Sequence, residues 1–507
     1  MLDLFLSGAA QVLTPWVLLS MAAGTVAGVI AAAIPGFTIT MAIILTLPLT
    51  YGMTPIQGIA TLLAVWVGGG NGGLFSAALL GIPGTPSSVA TTFDAYPMSR
   101  RGEPGRALSL GTWASFFGTL ISTVVLIVAA PPLAMIAVKL GPWEYFSLIV
   151  FSMTIVASLV GSSMLRGLAA GVLGLFIATL GPDPMMARPR FTFDTDLLAA
   201  GVPFLVVLIG LYAISQLLGE VEDGGGSGQG EALIPDRIDF HPYRVMKETL
   251  SRPLTLLRSS MIGVFIGAVP GAGGSIANLL AYDQEKRASK HPELFGTGIP
   301  DGVVASEAGN SSTAGGGLIP VIAMGIPGGA VEAVLMASLM VHGISVGPRL
   351  IIDHADIVYG MFVALTIASF MMLVFCLSTM RVMLYVTNVP KYIIVSTVLV
   401  FTVIGAYTLS NRMADVYLLL IAGALGYGMR KLDFPLAPLV LGVILGPIAE
   451  TNLRRALMAD ADWLTFLTRP ISLTLLVMAV ISVVWSVRHH RRTRKVSVGA
   501  AVPDQYS

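Results

Sequence analysis

Charged residues are scarce in this chain. Only 11% of its 507 residues are Asp, Glu, Lys or Arg, and 55% are hydrophobic, whereas a soluble domain carries about 25% charged residues. The mean hydropathy is +0.83. This composition excludes an ordinary soluble domain. It predicts an all-α polytopic membrane protein, because a helix pairs its own backbone groups inside lipid.

Cysteine is almost missing as well, since Cys376 is the only one. A single thiol excludes an internal disulfide and a cysteine metal cluster. The chain also lacks a Gly-Lys-Ser/Thr phosphate loop and a His-Glu-x-x-His zinc motif. These absences predict a protein that is not an enzyme and holds no organic cofactor. The formal net charge of +1 gives no indication of nucleic acid binding.

Basic residues are absent from the first part of the chain, before Arg100. Without a basic n-region we expect no cleavable signal peptide. Most of the 29 Lys and Arg residues cluster in a few later loops, which the positive-inside rule assigns to the cytoplasm. This topology predicts a multi-pass protein of a bacterial inner membrane with a cytoplasmic C-terminus. It places eight basic residues outside, among them Arg188, Arg190, Arg454, Arg455 and Arg469.

A short Pro-Gly signature occurs four times within apolar sequence. The four pairs are Pro35-Gly36, Pro83-Gly84, Pro270-Gly271 and Pro327-Gly328. Proline removes a backbone donor and glycine favours unwinding, and interrupted apolar segments in matching places point to a transporter's binding site. We therefore predict two repeats, each with a re-entrant hairpin, a broken helix and about four further spans, plus one C-terminal span. An ordinary proline kink is the alternative at each pair.

The charges of the flanking loops predict that the two repeats are inverted. The loop at 46–55 carries no charge, whereas its counterpart at 283–300 is basic. The next loop, 99–106, is basic, while its counterpart at 343–357 has one arginine against two aspartates. A parallel repeat would keep one sign at both places, so the reversal indicates inverted topology.

The domain boundaries follow from these segments, and a run of glycine and serine at 224–228 is typical of a flexible linker. We predict a first membrane repeat at 1–219, a cytoplasmic linker at 220–258, a second inverted repeat at 259–450, an external segment with the final span at 451–487, and a basic cytoplasmic tail at 488–507.

Small polar residues accompany the predicted interruptions, which include the glycine runs at 68–73 and 315–317. The N–H end of a broken helix suits a carboxylate, and its carbonyl end suits Na⁺. Expected substrate-binding residues are Asn71, Gly84, Thr85, Ser87, Ser88, Gly328 and Gly329. Expected ion-binding residues are Gly36, Glu307, Asn310, Ser311, Ser312 and Thr313. Alternatively, small residues permit helix packing and hydroxyls bond back to their own helix.

Ionisable residues at membrane depth are functional candidates by default. Three occur here: Asp94, Glu307 and Glu332. Glu307 precedes a glycine and Asn310 and is the stronger candidate for binding a cation or a proton. Asp94 lies near the cytoplasmic end of its span, where it could equally cap a turn.

The sequence resembles the large transmembrane subunit of the tripartite tricarboxylate transporters over about residues 14–449. In the first half the similarity rests on Pro83-Gly84-Thr85-Pro86-Ser87-Ser88, Asp94-Ala95-Tyr96-Pro97-Met98 and Arg190-Phe191-Thr192-Phe193. In the second half it rests on Pro270-Gly271-Ala272-Gly273-Gly274, Glu285-Lys286-Arg287, Lys290-His291-Pro292-Glu293, Glu307-Ala308-Gly309-Asn310, Gly325-Ile326-Pro327-Gly328 and His342-Gly343. Ser311 departs from the family, which often has a second Asn there, and Ala95 replaces a common Gly.

The resemblance implies a permease that imports a carboxylate with a cation gradient, Na⁺ being the expected coupling ion. It also implies two partners, a small four-span membrane subunit and a periplasmic solute-binding protein. Two hairpin and broken-helix units would move against a scaffold to give alternating access. The alternatives are a passive anion channel and a proton-coupled transporter of another small organic anion.

Overall fold

The structure is a computed structural model that describes residues 2–159, 163–222, 241–386 and 391–499. Helices form almost all of the regular structure in these ranges, and seven of them are long and apolar enough to cross a membrane. The prediction of an all-α polytopic membrane protein is confirmed. The glycine-rich linker at 224–228 and the chain end at 500–507 lie outside the described residues.

Ten helices and one short strand pair occur before the linker. The helices are α1 (Leu2–Val12), α2 (Pro15–Ala33), α3 (Ile39–Thr46), α4 (Pro55–Leu80), α5 (Val89–Arg100), α6 (Pro104–Ala137), α7 (Pro142–Leu159), α8 (Met164–Ala178), α9 (Phe204–Ile209) and α10 (Ser215–Glu222). A π-helical turn, Gly210–Ile214, joins α9 to α10. The antiparallel strands β1 (Gly181–Pro182) and β2 (Pro189–Arg190) form a hairpin after α8.

Thirteen helices follow among the described residues. They are α11 (Pro242–Leu250), α12 (Pro253–Ala268), α13 (Gly273–Ala288), α14 (Pro300–Ser311), α15 (Thr313–Met324), α16 (Ala330–Val341), α17 (Leu350–Asp353), α18 (Ala355–Val386), α19 (Lys391–Ser410), α20 (Met413–Lys431), α21 (Leu436–Ala459), α22 (Thr465–Thr468) and α23 (Pro470–Gly499). Short 3₁₀ turns occur at Leu47–Thr50, Pro86–Ser88 and Pro292–Leu294.

The helices form two compact units. The first comprises Met1–Lys139 with Leu205–Tyr427, and the second comprises Leu140–Phe204 with Gly428–Ser507. Each unit contains segments of both predicted repeats, and the first contains all four Pro-Gly pairs. The division into repeats at 219 and 259 stays a prediction.

All four Pro-Gly pairs lie at turns between helices. The hairpin tips contain Gly36 and Gly271, with φ of +90° and +81°, and the second interruptions begin at Gly81 and Gly325, with φ of +67° and +70°. Glycine adopts this left-handed region at no steric cost, whereas other residues are strained there. Each predicted helix break, at Pro35, Pro83, Pro270 and Pro327, thus coincides with a turn between helices, and its part in a binding site stays a prediction. Whether the hairpins re-enter one membrane face stays a prediction.

The predicted interruption at the glycine run 68–73 is wrong. Helix α4 continues without a break from Pro55 to Leu80, and only Ser312 separates α14 from α15 in the second copy. The glycines serve close packing instead, because a Cβ on Gly72 would overlap the carbonyl oxygen of Val29 in α2. Helix hydrogen bonds are thus kept where unwinding was expected.

The duplicated sequence forms duplicated helix packing in the first unit. In three pairs of contacts, a glycine lies so close to a neighbouring carbonyl oxygen that an added Cβ would overlap it. Gly28–Val65 corresponds to Gly263–Gly309. Gly72–Val29 corresponds to Gly316–Val264, and Gly84–Ala32 corresponds to Gly328–Gly267. Corresponding residues are separated by 235 positions in α2 and α12 and by 244 in the later helices. This correspondence supports a duplication, and its inverted orientation stays a prediction.

The second unit explains two of the arginines that the topology leaves outside. Arg190 of the β-hairpin pairs with Glu450 of α21, with Nη1 and Oε1 2.5 Å apart. Arg454 pairs with Asp183 at 2.6 Å. Hydrogen bonds from the backbone N–H groups of Met186 and Met185, together with Arg454, lower the pKa of Asp183 to about 2. The two arginines are therefore neutralised by carboxylates close by.

Candidate functional site

The two central helices of the repeats meet at an asparagine. Asn310 at the end of α14 donates a hydrogen bond from Nδ2 to the carbonyl oxygen of Gly70 in α4, at 2.9 Å. The next residue, Asn71, is fully buried, and its Oδ1 accepts a hydrogen bond of 3.3 Å from Thr112 of α6. The predicted residues Asn71 and Asn310 are thus brought to one crossing point.

Two polar atoms at this crossing have no hydrogen-bond partner among the described residues. They are the amide nitrogen Nδ2 of Asn71 and the hydroxyl oxygen of Ser311. Both side chains are buried, with 0% and 7% of their surface exposed. An unsatisfied buried donor costs about 1–3 kcal/mol. A ligand that accepts hydrogen bonds would recover this free energy.

The first turn of α13 also reaches the crossing. A Cβ on Gly274 would lie 2.8 Å from Oδ1 of Asn310 and 3.0 Å from Cβ of Ser87. Ser87 follows the first repeat's second Pro-Gly pair, whereas Gly274 follows the second repeat's hairpin tip. The structure therefore places one predicted substrate residue, Ser87, beside one predicted ion residue, Asn310.

The other hydroxyls after Pro83-Gly84 form a local turn. Ser88 Oγ donates to the carbonyl oxygen of Thr85 at 2.8 Å and accepts from the Thr85 N–H at 3.2 Å. Thr85 Oγ1 lies 3.1 Å from Ser87 Oγ. The Ser88 hydroxyl thus caps this turn, while the hydroxyls of Thr85 and Ser87 lie within hydrogen-bond distance of each other.

Several predicted glycines contact protein rather than the crossing point. The Gly271 N–H donates to the carbonyl oxygen of Gly328 at 2.5 Å, so the two interruptions of the second repeat are joined directly. Gly329 lies at the carboxylate of Glu332, and the carbonyl oxygen of Gly36 accepts a hydrogen bond from Gln216 of α10. In this structure the Gly36 carbonyl is already used by a side-chain donor.

The hydroxyls of Ser312 and Thr313 bond back to their own chain. Ser312 donates to the carbonyl oxygen of Ala308 at 2.7 Å, and Thr313 donates to that of Asn310 at 2.6 Å. Such bonds are common for hydroxyls in apolar helices. Their geometry corresponds to the packing alternative raised by the sequence.

Glu307 lies in a buried polar network that joins both repeats. Its Oε1 accepts a hydrogen bond of 2.6 Å from Thr91, and its Oε2 accepts one of 2.9 Å from Ser115. Asn278 donates to Thr91 at 3.2 Å and to the carbonyl oxygen of Ser306 at 3.0 Å. Glu307 is fully buried, and within the described ranges no Lys, Arg or His side chain forms an ion pair with its carboxylate.

Asp94 is used in the structure as a fixed hydrogen-bond acceptor. Its Oδ1 accepts bonds from three backbone N–H groups of the loop before α14, and its Oδ2 accepts one from Tyr282. All four donors, three backbone N–H groups and one tyrosine hydroxyl, belong to the protein itself. The structure therefore favours the capping interpretation of Asp94 over ligand binding.

The comparison with known protein families decides the class. Residues 18–441 match the model of the tripartite tricarboxylate transporter TctA family. The chain belongs to the TctA family. This TctA-family protein is thus a membrane transport protein of a tripartite system, and the resemblance drawn from its motifs is confirmed.

Two proteins of Agrobacterium vitis are similar to this TctA-family chain. One, an uncharacterised 52.8 kDa protein from the ttuC′ 3′ region of TAR-I, is 32% identical over 490 residues, which are 95% of each chain. The other, an uncharacterised protein from the ttuC′ 3′ region of TAR-II, is 30% identical over 237 residues, 46% of this chain and 98% of its own length. No solved structure matches the chain.

Four polar residues that contact the predicted candidates or lie beside them were missed by the sequence reasoning: Thr112, Ser115, Asn278 and Tyr282. A signal existed for the two on α6, because this apolar helix carries a polar stripe at helical spacing. The stripe comprises Ser109, Thr112, Ser115, Thr119, Ser122 and Thr123, all of them buried. A polar face on an apolar helix points to the interior of a bundle.

Proposed function

We propose that this chain is the permease subunit of a secondary transporter that imports a carboxylate by alternating access, with Na⁺ as the coupling ion. It would work in the inner membrane, with its C-terminus in the cytoplasm. A small four-span membrane subunit and a periplasmic solute-binding protein would complete the system. Membership of the TctA family supports the transport class and the existence of partners.

The observation that carries the proposal is the unpaired amide of Asn71. Its Nδ2 offers two N–H donors inside the protein, and a carboxylate is an acceptor-only group that takes up such donors. The hydroxyls of Ser87 and Ser311 would add further donors at the same crossing. Because the donors are neutral, the substrate's charge would be offset by the co-transported cation.

The proposed coupling site is Glu307 with the hydroxyls of Thr91 and Ser115. A buried carboxylate without a basic partner is costly, and a bound cation or proton removes this cost. Carboxylate and hydroxyl oxygens are ligands suited to a hard cation. The same setting favours a second candidate function, proton-coupled transport, in which Glu307 would carry the proton.

The test is uptake in proteoliposomes that contain the chain, the small membrane subunit and the solute-binding protein. A panel of radiolabelled di- and tricarboxylates, including citrate, is offered under an inward Na⁺ gradient, an inward proton gradient, or neither. We expect saturable uptake only with the Na⁺ gradient. Uptake driven by protons alone would select the second candidate, and non-saturating uptake without any gradient would indicate a channel.

A further inference from the structure

The short helices α5 and α16, which follow the second Pro-Gly pair of each repeat, both end against a loop of the other repeat. Helix α5 contacts the loop before α14, and α16 contacts the turn before α4. The flanking loops at 99–106 and 283–300 are predicted to be cytoplasmic, and those at 46–55 and 343–357 external. The two contacts thus lie at opposite predicted faces.

The inner contact is centred on Asp94, which is fully buried. Its Oδ1 accepts hydrogen bonds from the N–H groups of Gly296 (3.0 Å), Gly298 (2.6 Å) and Ile299 (3.0 Å). Its Oδ2 accepts a bond of 2.8 Å from the hydroxyl of Tyr282. Four donors of the second repeat thus converge on one side chain of the first, so this contact is strong.

Neighbouring side chains reinforce the inner contact. Arg101, the residue directly after α5, donates a hydrogen bond to the carbonyl oxygen of Gly298. The ring of Tyr282 makes edge contacts with Phe93 and Phe295, at centroid distances of 5.3 and 5.4 Å. These three rings cover the polar contact with apolar surface.

The outer contact is centred on His342, which is partly buried. Its Nδ1 lies 2.7 Å from the carbonyl oxygen of Ser338 in its own helix, and its Nε2 lies 3.2 Å from that of Thr50 in the first repeat. Of these two contacts only the one to Thr50 joins the repeats. The outer contact therefore has fewer hydrogen bonds between the repeats than the inner one.

The two contacts occupy corresponding places in the duplicated framework. Asp94 lies against Gly302 and His342 lies against Gly58, and neither glycine has room for a Cβ. Gly58 and Gly302 are 244 residues apart, the separation that also relates Gly84 to Gly328. The same position is thus closed by a carboxylate in one repeat and by an imidazole in the other.

We propose that Asp94 and His342 are positioning residues that close the two ends of the transport path, Asp94 at the cytoplasmic end and His342 at the external end. The proposal rests on the transport function proposed above. Alternating access requires that one contact opens while the other stays closed. Since the inner contact is the stronger, the external end opens more readily in the absence of substrate.

The test measures access to a reporter cysteine at the site. The single natural cysteine, Cys376, is replaced by serine, and Ser87→Cys provides the reporter. The full chain is labelled with a membrane-impermeant maleimide in right-side-out and in inside-out vesicles, without substrate. The measured quantity is the labelling rate from each face.

Asp94→Asn is expected to raise labelling from the cytoplasmic face about tenfold or more, because the amide keeps only one of the two acceptor oxygens that hold the inner contact. His342→Gln is expected to raise labelling from the external face several-fold. The matched controls are Asp283→Asn, an exposed residue near the end of α13, and His354→Gln in the predicted external loop. Both controls should label as the reporter parent does.

If the Asp94→Asn protein does not accumulate, Tyr282→Phe serves as the second variant of the inner contact, since it removes one hydroxyl and keeps the ring. It should raise cytoplasmic labelling about threefold. Unchanged labelling in both Asp94 and Tyr282 variants, or an increase from the opposite face, would overturn the proposal. Face-specific labelling without Na⁺-driven uptake would support the two closing contacts and reject the proposed Na⁺ coupling. Na⁺-driven uptake without a change in labelling would support the coupling and reject the closing contacts.

Discussion

Replacing Asn71 with alanine tests the proposed substrate site directly. The Asn71 amide nitrogen is buried and has no partner among the described residues. A hydrogen bond from it to a carboxylate would contribute about 1.5–3 kcal/mol, which corresponds to about 10- to 150-fold in affinity. We therefore expect the KM for the carboxylate to rise by about that factor.

The same substitution should lower stability only moderately in the absence of ligand. It removes an unsatisfied donor, which favours the folded state, but it also removes the acceptor of the Thr112 hydroxyl and leaves a small cavity, which both disfavour it. These effects cancel in part, so the free energy of unfolding should fall by about 1–3 kcal/mol and the protein should stay folded. A loss of binding with a retained fold is the signature of a ligand site.

Uptake and ligand-induced stabilisation provide two readouts. A carboxylate at 100 times its Kd stabilises the wild-type protein by about 2.7 kcal/mol, and at the same concentration a 100-fold weaker variant gains only about 0.4 kcal/mol. The matched control is Asn452→Ala, because the Asn452 amide donates to Ile448 within its own helix. A folded Asn71→Ala protein with wild-type KM and wild-type stabilisation would refute the assignment.

Three further predictions follow from particular contacts. Glu307→Gln keeps the shape but removes the charge, so uptake should lose its dependence on the Na⁺ gradient; a retained dependence would exclude Glu307 as the coupling group. Gly316→Ala should lower stability by about 1–3 kcal/mol through overlap with a carbonyl oxygen, whereas Gly219→Ala, with open space around it, should be neutral or stabilising in thermal unfolding. Asp183 has a lowered pKa of about 2 against an ordinary 3.8, so its contribution is complete above about pH 4 and is lost as the pH falls toward 2. Asp183→Asn should remove this part of the stability profile, and an unchanged acid profile would contradict the ion-pair account.

The turns could be predicted from sequence because their cause is local. Gly36, Gly81, Gly271 and Gly325 all adopt positive φ within two residues of a proline, and no distant contact is needed to force this. Hydropathy likewise identifies long apolar helices without knowledge of their neighbours. Helix content and the four interruptions were therefore within reach of the sequence.

The glycine run at 68–73 was misread because its cause is distant. A glycine that permits unwinding and a glycine that permits close approach look the same in sequence. Here Gly68 and Gly72 lie against Thr25 and Val29 of α2, some forty residues away, and the helix stays intact. The partners of Glu307 were missed for the same reason, since Ser115 is 192 residues away in the chain.

The duplication repeats the backbone packing but not the polar chemistry. By the 244-residue separation, Glu307 corresponds to Leu63, Asn310 to Trp66 and Asn71 to Gly315. Glycine is kept at both Gly72 and Gly316, where a Cβ would overlap a backbone carbonyl oxygen. Helix approach thus imposes the same requirement twice, whereas a buried carboxylate or amide is costly and is retained only where it binds something. Two related halves can therefore form a frame in which the Glu307 carboxylate and the unpaired Asn71 amide each occur in one half only, which is the asymmetry that a site for one anion and its coupling cation requires.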